Sequence, residues 1–411
     1  MNIPLKYARK FKDCMGFSDG LAKVRFEDGT WGFIDRQGKN YTNVTFKNDM
    51  YDSFINGFSR VQLYEDKSGL QYLNKNLEAV FKPYNKAYPF VNGFARVMRD
   101  DGSMTFIDTD GNEMNISKKQ LYNFSAEGFA VTQDFSGKYT YVDTKGHEHG
   151  QFDYAKSFSD DVAIVVTHHR NIIDWDGSRK SVPEYAIINK KFEIVGILEF
   201  DRYISVGDFY EGFAFCVYNE GIGMGGVFID KKGNECNMGL TGLSLGSNFQ
   251  NGLAFVSDYY SDGYYFINTD GKKVSKKYKL IRGLDNQFYD GMFLVGTMDN
   301  RRTYVDKTGK DIGKSFKYGR QFTNGFATVQ LDNDKWSYID TKGKLVFGEY
   351  FMTSGFYEDM GLVQIDEEGT WVYINNEGRY LIDFSKLTNS QISEILDYDI
   401  NYKKDLEKQK R

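Results

Sequence analysis

One phrase returns ten times along this chain: Phe-x-x-Gly-(Leu/Phe)-Ala-x-Val, a polar turn, then aromatic-Ile-Asp-x-x-Gly. Its clearest copy runs Phe17, Gly20, Leu21, Ala22, Val24, then Glu27-Asp28-Gly29-Thr30, then Trp31-Gly32-Phe33-Ile34-Asp35 and Gly38. The first glycine aligns with Gly57, Gly93, Gly128, Asp161, Gly212, Gly252, Gly291, Gly325 and Asp359, at spacings of about 33 to 40 residues with one gap of 51 between Asp161 and Gly212. A period of that length marks a tandem architecture, in which each unit buries its apolar face only against its neighbours.

Reading the copies by column assigns local structure. Two residues past the glycine stands a small side chain, Ala22, Ser59, Ala95, Ala130, Ala163, Ala214, Ala254, Ala327 or Gly361, with Phe293 the exception; two further on stands Val24 or its equivalent. Residues i and i+2 of a strand share a face, so these columns define the buried side of a first strand. The small residue leaves room for an aromatic, either the unit's own Phe or one from the next unit. Asp28-Gly29, Asp101-Gly102 and Asp262-Gly263 signal a tight hairpin. A second strand follows, apolar on both faces, as in Phe33-Ile34, Tyr141-Val142 and Tyr338-Ile339. It ends at Asp or Asn, with Gly three residues later in eight copies and Leu77 and Phe192 in the other two. A short carboxylate or amide there accepts a backbone N–H two residues on, and Gly closes the turn. A calcium ladder is the competing reading, but Asn replaces Asp in four copies and one side chain per turn falls short of six to eight oxygens. A third, less regular strand, as in Val80-Phe81 and Leu345-Val346-Phe347, leads to the next unit.

The expected fold is therefore all-β, a tandem array of about ten two- to three-stranded units. Thirty Tyr and 34 Phe against four Pro agree with many short aromatic strands. Units of about 35 residues are short for four-stranded propeller blades, so an open solenoid or superhelical stack is favoured and a closed β-propeller is the alternative. The array spans 17–382, with an insertion near 168–184; residues 1–16 form an N-terminal cap, and 383–411 a C-terminal helix and charged tail.

A net charge of −5 with intermixed signs gives no footprint for nucleic acid. No run of apolar residues suits a signal peptide or membrane insertion. Cys14, Cys216 and Cys236 are odd in number and widely spaced, which favours a reducing compartment, and the expected location is cytoplasmic.

The phrase Gly20-Leu21-Ala22-x-Val24 followed by Asp28-Gly29-Thr30-Trp31-Gly32-Phe33-Ile34-Asp35 and Gly38-Lys39 resembles the bacterial WG-repeat family, named for its Trp-Gly pair. The resemblance covers residues 17 to 380. Only Trp31-Gly32 keeps the literal pair; Trp336 and Trp371 keep the Trp, and Tyr139, Tyr185 and Tyr264 keep an aromatic. It implies a β-repeat interaction module and carries no catalytic residues across.

Chemistry is sparse. Gly221-Ile222-Gly223-Met224-Gly225-Gly226 is glycine-rich but precedes a strand, where a dinucleotide fingerprint needs a helix, so it reads as a hairpin turn. No cofactor is implied. All four histidines, His147, His149, His168 and His169, fall in units four and five, and four imidazoles from neighbouring units are the candidate metal ligands, with chance collection at polar turns the simpler reading. Binding candidates lie where the repeat breaks: Asp174, Trp175 and Asp176 in the insertion, Tyr259 and Tyr260, and the irregular turns at Asp161 and Asp359. The expected role is a non-enzymatic scaffold that binds another protein along an extended β surface. The alternative is a glycan or cell-wall binding module working through exposed Tyr and Trp.

Overall fold

The computed structural model describes residues 5–41, 52–61, 69–173, 177–199, 202–219, 224–240, 242–258, 262–281 and 287–399, with 403, 404 and 407. Its described residues form nine small antiparallel sheets that carry the ten repeat units, because units six and seven share one six-stranded sheet joined through the pair Gly226–Leu243. Unit one shows the plan: a lead strand Asp13–Cys14, the first strand Leu21–Arg25, the second strand Trp31–Asp35 and a third strand Asn40–Tyr41, hydrogen-bonded in that order.

Each core belongs to two units. In unit three, Ala95 and Val97 lie under Phe90 of the same unit and Tyr72 of unit two, whose rings meet edge-on at 5.2 Å. The same set recurs as Ala163, Val165, Phe158 and Tyr141, and as Ala327, Val329, Phe322 and Tyr304. The covering aromatics are thus the unit's own Phe and the second-strand aromatic of the preceding unit, not of the next. A buried phenol needs an acceptor. The Tyr72, Tyr141, Tyr304 and Tyr338 hydroxyls each donate to a backbone carbonyl in or just past the lead strand of the following unit, at Tyr88, Lys156, Arg320 and Ser354, over 2.6–2.7 Å.

The ring closes with the same contacts. Tyr373 of unit ten donates to the Met15 carbonyl at 2.6 Å, and Phe11, Phe17, Ala22 and Val24 pack with Leu362 and Tyr373 in one cluster. Phe11 pairs with Trp371 through two backbone hydrogen bonds of 3.1 and 3.2 Å, where Tyr84, Phe152 and Tyr350 pair with the starts of their own second strands. Residues near the N-terminus therefore complete the last sheet. Tyr7 is clamped in turn by the C-terminal helix Asn389–Tyr398, packing with Ile395 and donating to Glu394 at 2.5 Å. A capping box between Thr388 and Gln391 starts that helix.

The fold is a closed β-propeller, and the expected open stack is corrected. The length argument assumed four separate strands and a crossover for every blade. Here the third strand of one unit turns into the lead strand of the next across a single residue, Asn85 between Ala79–Tyr84 and Lys86–Ala87, and Asp153 between Glu148–Phe152 and Tyr154–Ala155. No crossover loop is spent at these joints, so about 35 residues suffice for a unit.

Two kinds of turn hold the units in register. Lead and first strands join through a two-residue turn with both residues at positive φ, Asp19 at 54° and Gly20 at 84°. The acid at its first position also caps the next unit: Asp19 accepts the Gly57 N–H at 2.6 Å, Asp290 that of Gly325 at 2.7 Å, and Glu358 closes the circle onto Gly20 at 2.7 Å. At the end of each second strand the Asp or Asn accepts the backbone N–H two and four residues on, as Asp340 does from Lys342 and Lys344 at 2.9 Å. The glycine of this turn faces the preceding unit, and a Cβ on Gly111 would lie 2.2 Å from the Phe81 ring. Leu77 and Phe192, which replace that glycine, hold φ of 62° and 64° and pack their side chains against that neighbour, Leu77 in a cluster with Leu21 and Phe33, and Phe192 on Phe129 and Tyr141.

The hairpins at Asp28-Gly29 and Asp101-Gly102 have three-residue loops, each ending on a glycine at positive φ, in place of the tight two-residue form expected. The glycine-rich stretch is also corrected: Met224–Asp230 is a strand, in which Gly225 and Gly226 lie under the rings of Tyr218 and Phe215.

Candidate functional site

The insertion lengthens one hairpin. In unit five the first strand spans Val162–Ile173 and the second Arg179–Asn189, paired out to Ile173 opposite Arg179. They form an arm beyond the length of the other hairpins, and Ile173 near its end is 75% exposed. The tip candidates Asp174, Trp175 and Asp176 lie outside the described residues, as do Tyr259 and Tyr260.

The four histidines do not converge. His147 and His149 both meet the Asp143 carboxylate, at 3.1 and 3.2 Å, while His168 pairs with Glu184 at 2.5 Å and His169 with Asp153 at 2.9 Å. The His149 ring also stacks on Phe192, 4.7 Å between centroids. Among the described residues no three His, Cys, Asp or Glu side chains are grouped to hold a metal ion. Against a desolvation that alone would raise it, hydrogen bonds from the His147 and Lys145 backbones and the His149 ring hold the Asp143 carboxyl well below the usual range. Hydrogen bonds from Lys138 and His169 bring Asp153 down to about 2. The His168–Glu184 pair lies across the hairpin of unit five, and the others lie where the third strand of unit four meets its neighbours. Of the irregular turns, Asp161 pairs with Lys190 at 2.6 Å, and Asp359 lines a cavity of about 470 Å³ beside Gly20, Arg36 and Arg379.

A surface that column reading missed runs along the lead strands. Each described one is an edge of its sheet outside the fused pair, and six present a large apolar side chain to solvent at or beside the strand: Met15, Tyr122, Tyr154, Ile204, Tyr318 and Met352 are exposed. The aromatic that opens a second strand, the Trp of the Trp-Gly pair, supports this belt from behind. Trp336 meets Tyr318 edge-on at 5.6 Å, and Tyr139 meets Tyr154 at 5.3 Å. The Arg320 guanidinium lies 5.6 Å from the Trp336 ring. The signal in the sequence was an apolar residue seven places before the repeat glycine, present at Tyr154, Leu245, Tyr318 and Met352, but polar in other copies such as Asp13 and Lys86.

At the seam of the ring the belt widens into a cavity of about 610 Å³, lined by residues of units nine, ten, one and two. Trp371, Tyr357, Met15 and Met352 supply apolar wall; Asp13 and Arg320 supply opposite charges. Four successive units reach one cavity only where they converge, which places the lead strands toward the ring axis. The site can hold an amphipathic group between an aromatic wall and a charged pair.

Comparison with known proteins follows from this geometry. The family described as WG containing repeat matches residues 72–102 and 336–371. Two relatives from Streptococcus pneumoniae, strains TIGR4 and R6, each described as "Putative endo-beta-N-acetylglucosaminidase", are 23% identical over 103 residues, 25% of this chain. The match spans 14% and 13% of their lengths. Among solved structures, BamB from Moraxella catarrhalis is similar at 11% identity and a TM-score of 0.33, over 70% of this chain and 95% of that one. KlHsv2 with loop 6CD replaced by a Gly-Ser linker is similar at 9% identity and 0.30, over 70% and 92%.

Proposed function

For this chain of WG-containing repeats, we propose a non-enzymatic scaffold that binds another protein along its lead-strand belt. One observation carries the reading: the repeated columns are consumed by packing, turns and closure, while the lead-strand edges leave a belt of apolar side chains in water. An exposed edge strand offers unpaired backbone groups, and alternating side chains beside it give a partner strand its specificity. Photo-crosslinking groups installed at Tyr122, Tyr154 and Tyr318 in expressing cells test it. Adducts with one protein at these positions and none at Leu345, an exposed third-strand control, are expected; equal labelling at all four positions, or none, overturns the reading.

A second reading is glycan binding in the seam cavity, favoured by Trp371 and Tyr357 in its wall and by the partial likeness to the pneumococcal relatives. Aromatic faces stack on sugar rings and a charged pair holds hydroxyls. N-acetylglucosamine oligomers titrated against Trp fluorescence decide it: saturable binding lost in Trp371→Ala supports this reading, and an unchanged spectrum ends it.

A further inference from the structure

The turn that ends each second strand changes character at unit seven. In units two to six its fifth residue is Glu78, Asn112, His147, Glu193 or Asn234, and each folds back onto the Asp or Asn that opens the turn, at 2.8–3.1 Å. In units seven to nine that residue is Lys272, Lys310 or Lys344. Together with Lys307 and Lys342 of the same turns, these lysines are exposed and enter no ion pair among the described residues. The acids that open two of the turns are spent on backbone: Asp306 accepts the N–H of Thr308 at 2.8 Å, and Asp340 those of Lys342 and Lys344 at 2.9 Å. Asp270, which accepts from Asn268 at 3.4 Å, is the one exposed acid in the three turns.

These turns lie side by side. A Cβ on Gly309 would meet Val274 at 2.8 Å, and one on Gly343 would meet Ile312 at 3.0 Å, so each turn rests on the third segment of the unit before it. The lysines continue along those segments. Lys314 donates to the Gly343 carbonyl at 3.4 Å and, with Lys276 and Lys277, lines a cavity of about 370 Å³ between units seven and eight. The two acids in its wall are engaged, Asp311 by Lys276 at 2.7 Å and by Tyr278 at 3.1 Å, and Asp299 by the Thr297 hydroxyl. The sequence carries the same bias: residues 272–344 hold sixteen Lys and Arg against eight Asp and Glu, a balance of +8 within a chain of net charge −5.

We propose that this arc of units seven to nine binds a linear chain of bare phosphates, laid across the turns and ending in the cavity. Ammonium groups meet phosphate oxygens as point charges and need no planar match. The three turns and the cavity wall have no exposed aromatic ring to stack a base and no arginine to read one, so a nucleic acid offers nothing here beyond its backbone. A protein partner needs an apolar anchor and keeps lysine from the centre of its interface, and the three turns supply no such anchor. Second-strand turns share one end of the ring with the lead-to-first turns, as the Lys190–Asp161 ion pair shows. A flat anionic membrane laid on that end would therefore also meet the exposed Glu78, Glu193, Glu211 and Asp359. A narrow polyanion avoids them by following the arc. The site is separate from the lead-strand belt and the seam cavity and rests on neither reading of them.

Isothermal titration of the full chain with inorganic polyphosphate at low salt tests it. Saturable binding that weakens as salt rises is expected. Lys310→Glu combined with Lys314→Glu should raise the dissociation constant about tenfold or more, while the melting curve of the exposed-site variant stays unchanged. Lys75→Glu combined with Lys145→Glu, in the equivalent turns of units two and four, alters net charge by the same amount and should change binding by less than about twofold. Absence of polyphosphate binding overturns the proposal, as does an equal loss in the two double variants. It is overturned too if an oligoglutamate peptide, a DNA duplex or phosphatidylserine vesicles bind this arc as tightly as polyphosphate does.

Discussion

Closure of the ring predicts that a residue ten places from the N-terminus is as costly to truncate as one in the middle of the chain. Phe11 is 1% exposed; its ring meets Tyr373 edge-on at 5.6 Å and lies 6.4 Å from Phe26, and its backbone pairs with Trp371. Truncating a buried Phe to Ala costs about 3–5 kcal/mol from lost transfer and the cavity left behind. With an unfolding entropy of about 2.1 cal/mol/K per residue over the 411 residues, that lowers Tm by about 4–6 °C. The comparator is Phe90→Ala, a fully buried ring in unit three stacked on Phe58 at 4.4 Å. Thermal unfolding followed by circular dichroism should show the two variants shifted alike. In an open array Phe11 would belong to a fraying end, and its truncation would cost less than about 0.5 kcal/mol, as exposed substitutions do. An unshifted Phe11→Ala beside a destabilised Phe90→Ala would refute closure.

Two further perturbations read the joints between units. Gly111→Ala forces a Cβ into the Phe81 ring at a φ of 85°, and is expected to destabilise by about 2–3 kcal/mol; Phe81→Ala made in the same chain should recover part of that loss, giving a coupling in chemical denaturation that unrelated sites lack. Asp153→Asn removes a carboxyl whose folded pKa, about 2, lies below its unfolded value of about 3.9. Its contribution is present above that unfolded value and lost as pH falls through the folded one, so urea midpoints of wild type and variant should differ at neutral pH and merge near pH 2.

The unit was legible in the sequence because its constraints are local. Ala22 and Val24 sit two apart on one face, and Asp35 and Gly38 close a turn within four residues, so a column of side chains defines each feature. Closure is not local. At three joints the chain bends into the next unit across one residue, Asn85, Asp153 or Phe351, a position the repeat phrase does not include. Phe11 did carry a signal: it stands nine residues before Gly20, as Tyr84 does before Gly93 and Phe152 before Asp161. Read as part of a cap, it looked like the end of an array. In the structure it occupies the aromatic position that ends a third strand and completes unit ten. The candidate site was less legible for the same reason. Trp371 and Met15 are separated by almost the whole chain and meet only because the ring joins.

A closed ring of near-equivalent units has little reason to place one site anywhere in particular, so departures from equivalence decide where function sits. The seam is one departure: Phe11 pairs there with Trp371 of the last sheet, and a cavity opens among four units. Unit five is another, with its lengthened hairpin, its uncharged outer edge, and Phe192 in place of the turn glycine that lets other units approach closely. The two lie on opposite sides of a ten-unit circle, unit five across from the junction of units ten and one. Altering the lengthened hairpin of unit five should therefore leave the seam cavity, and whatever it holds, unchanged.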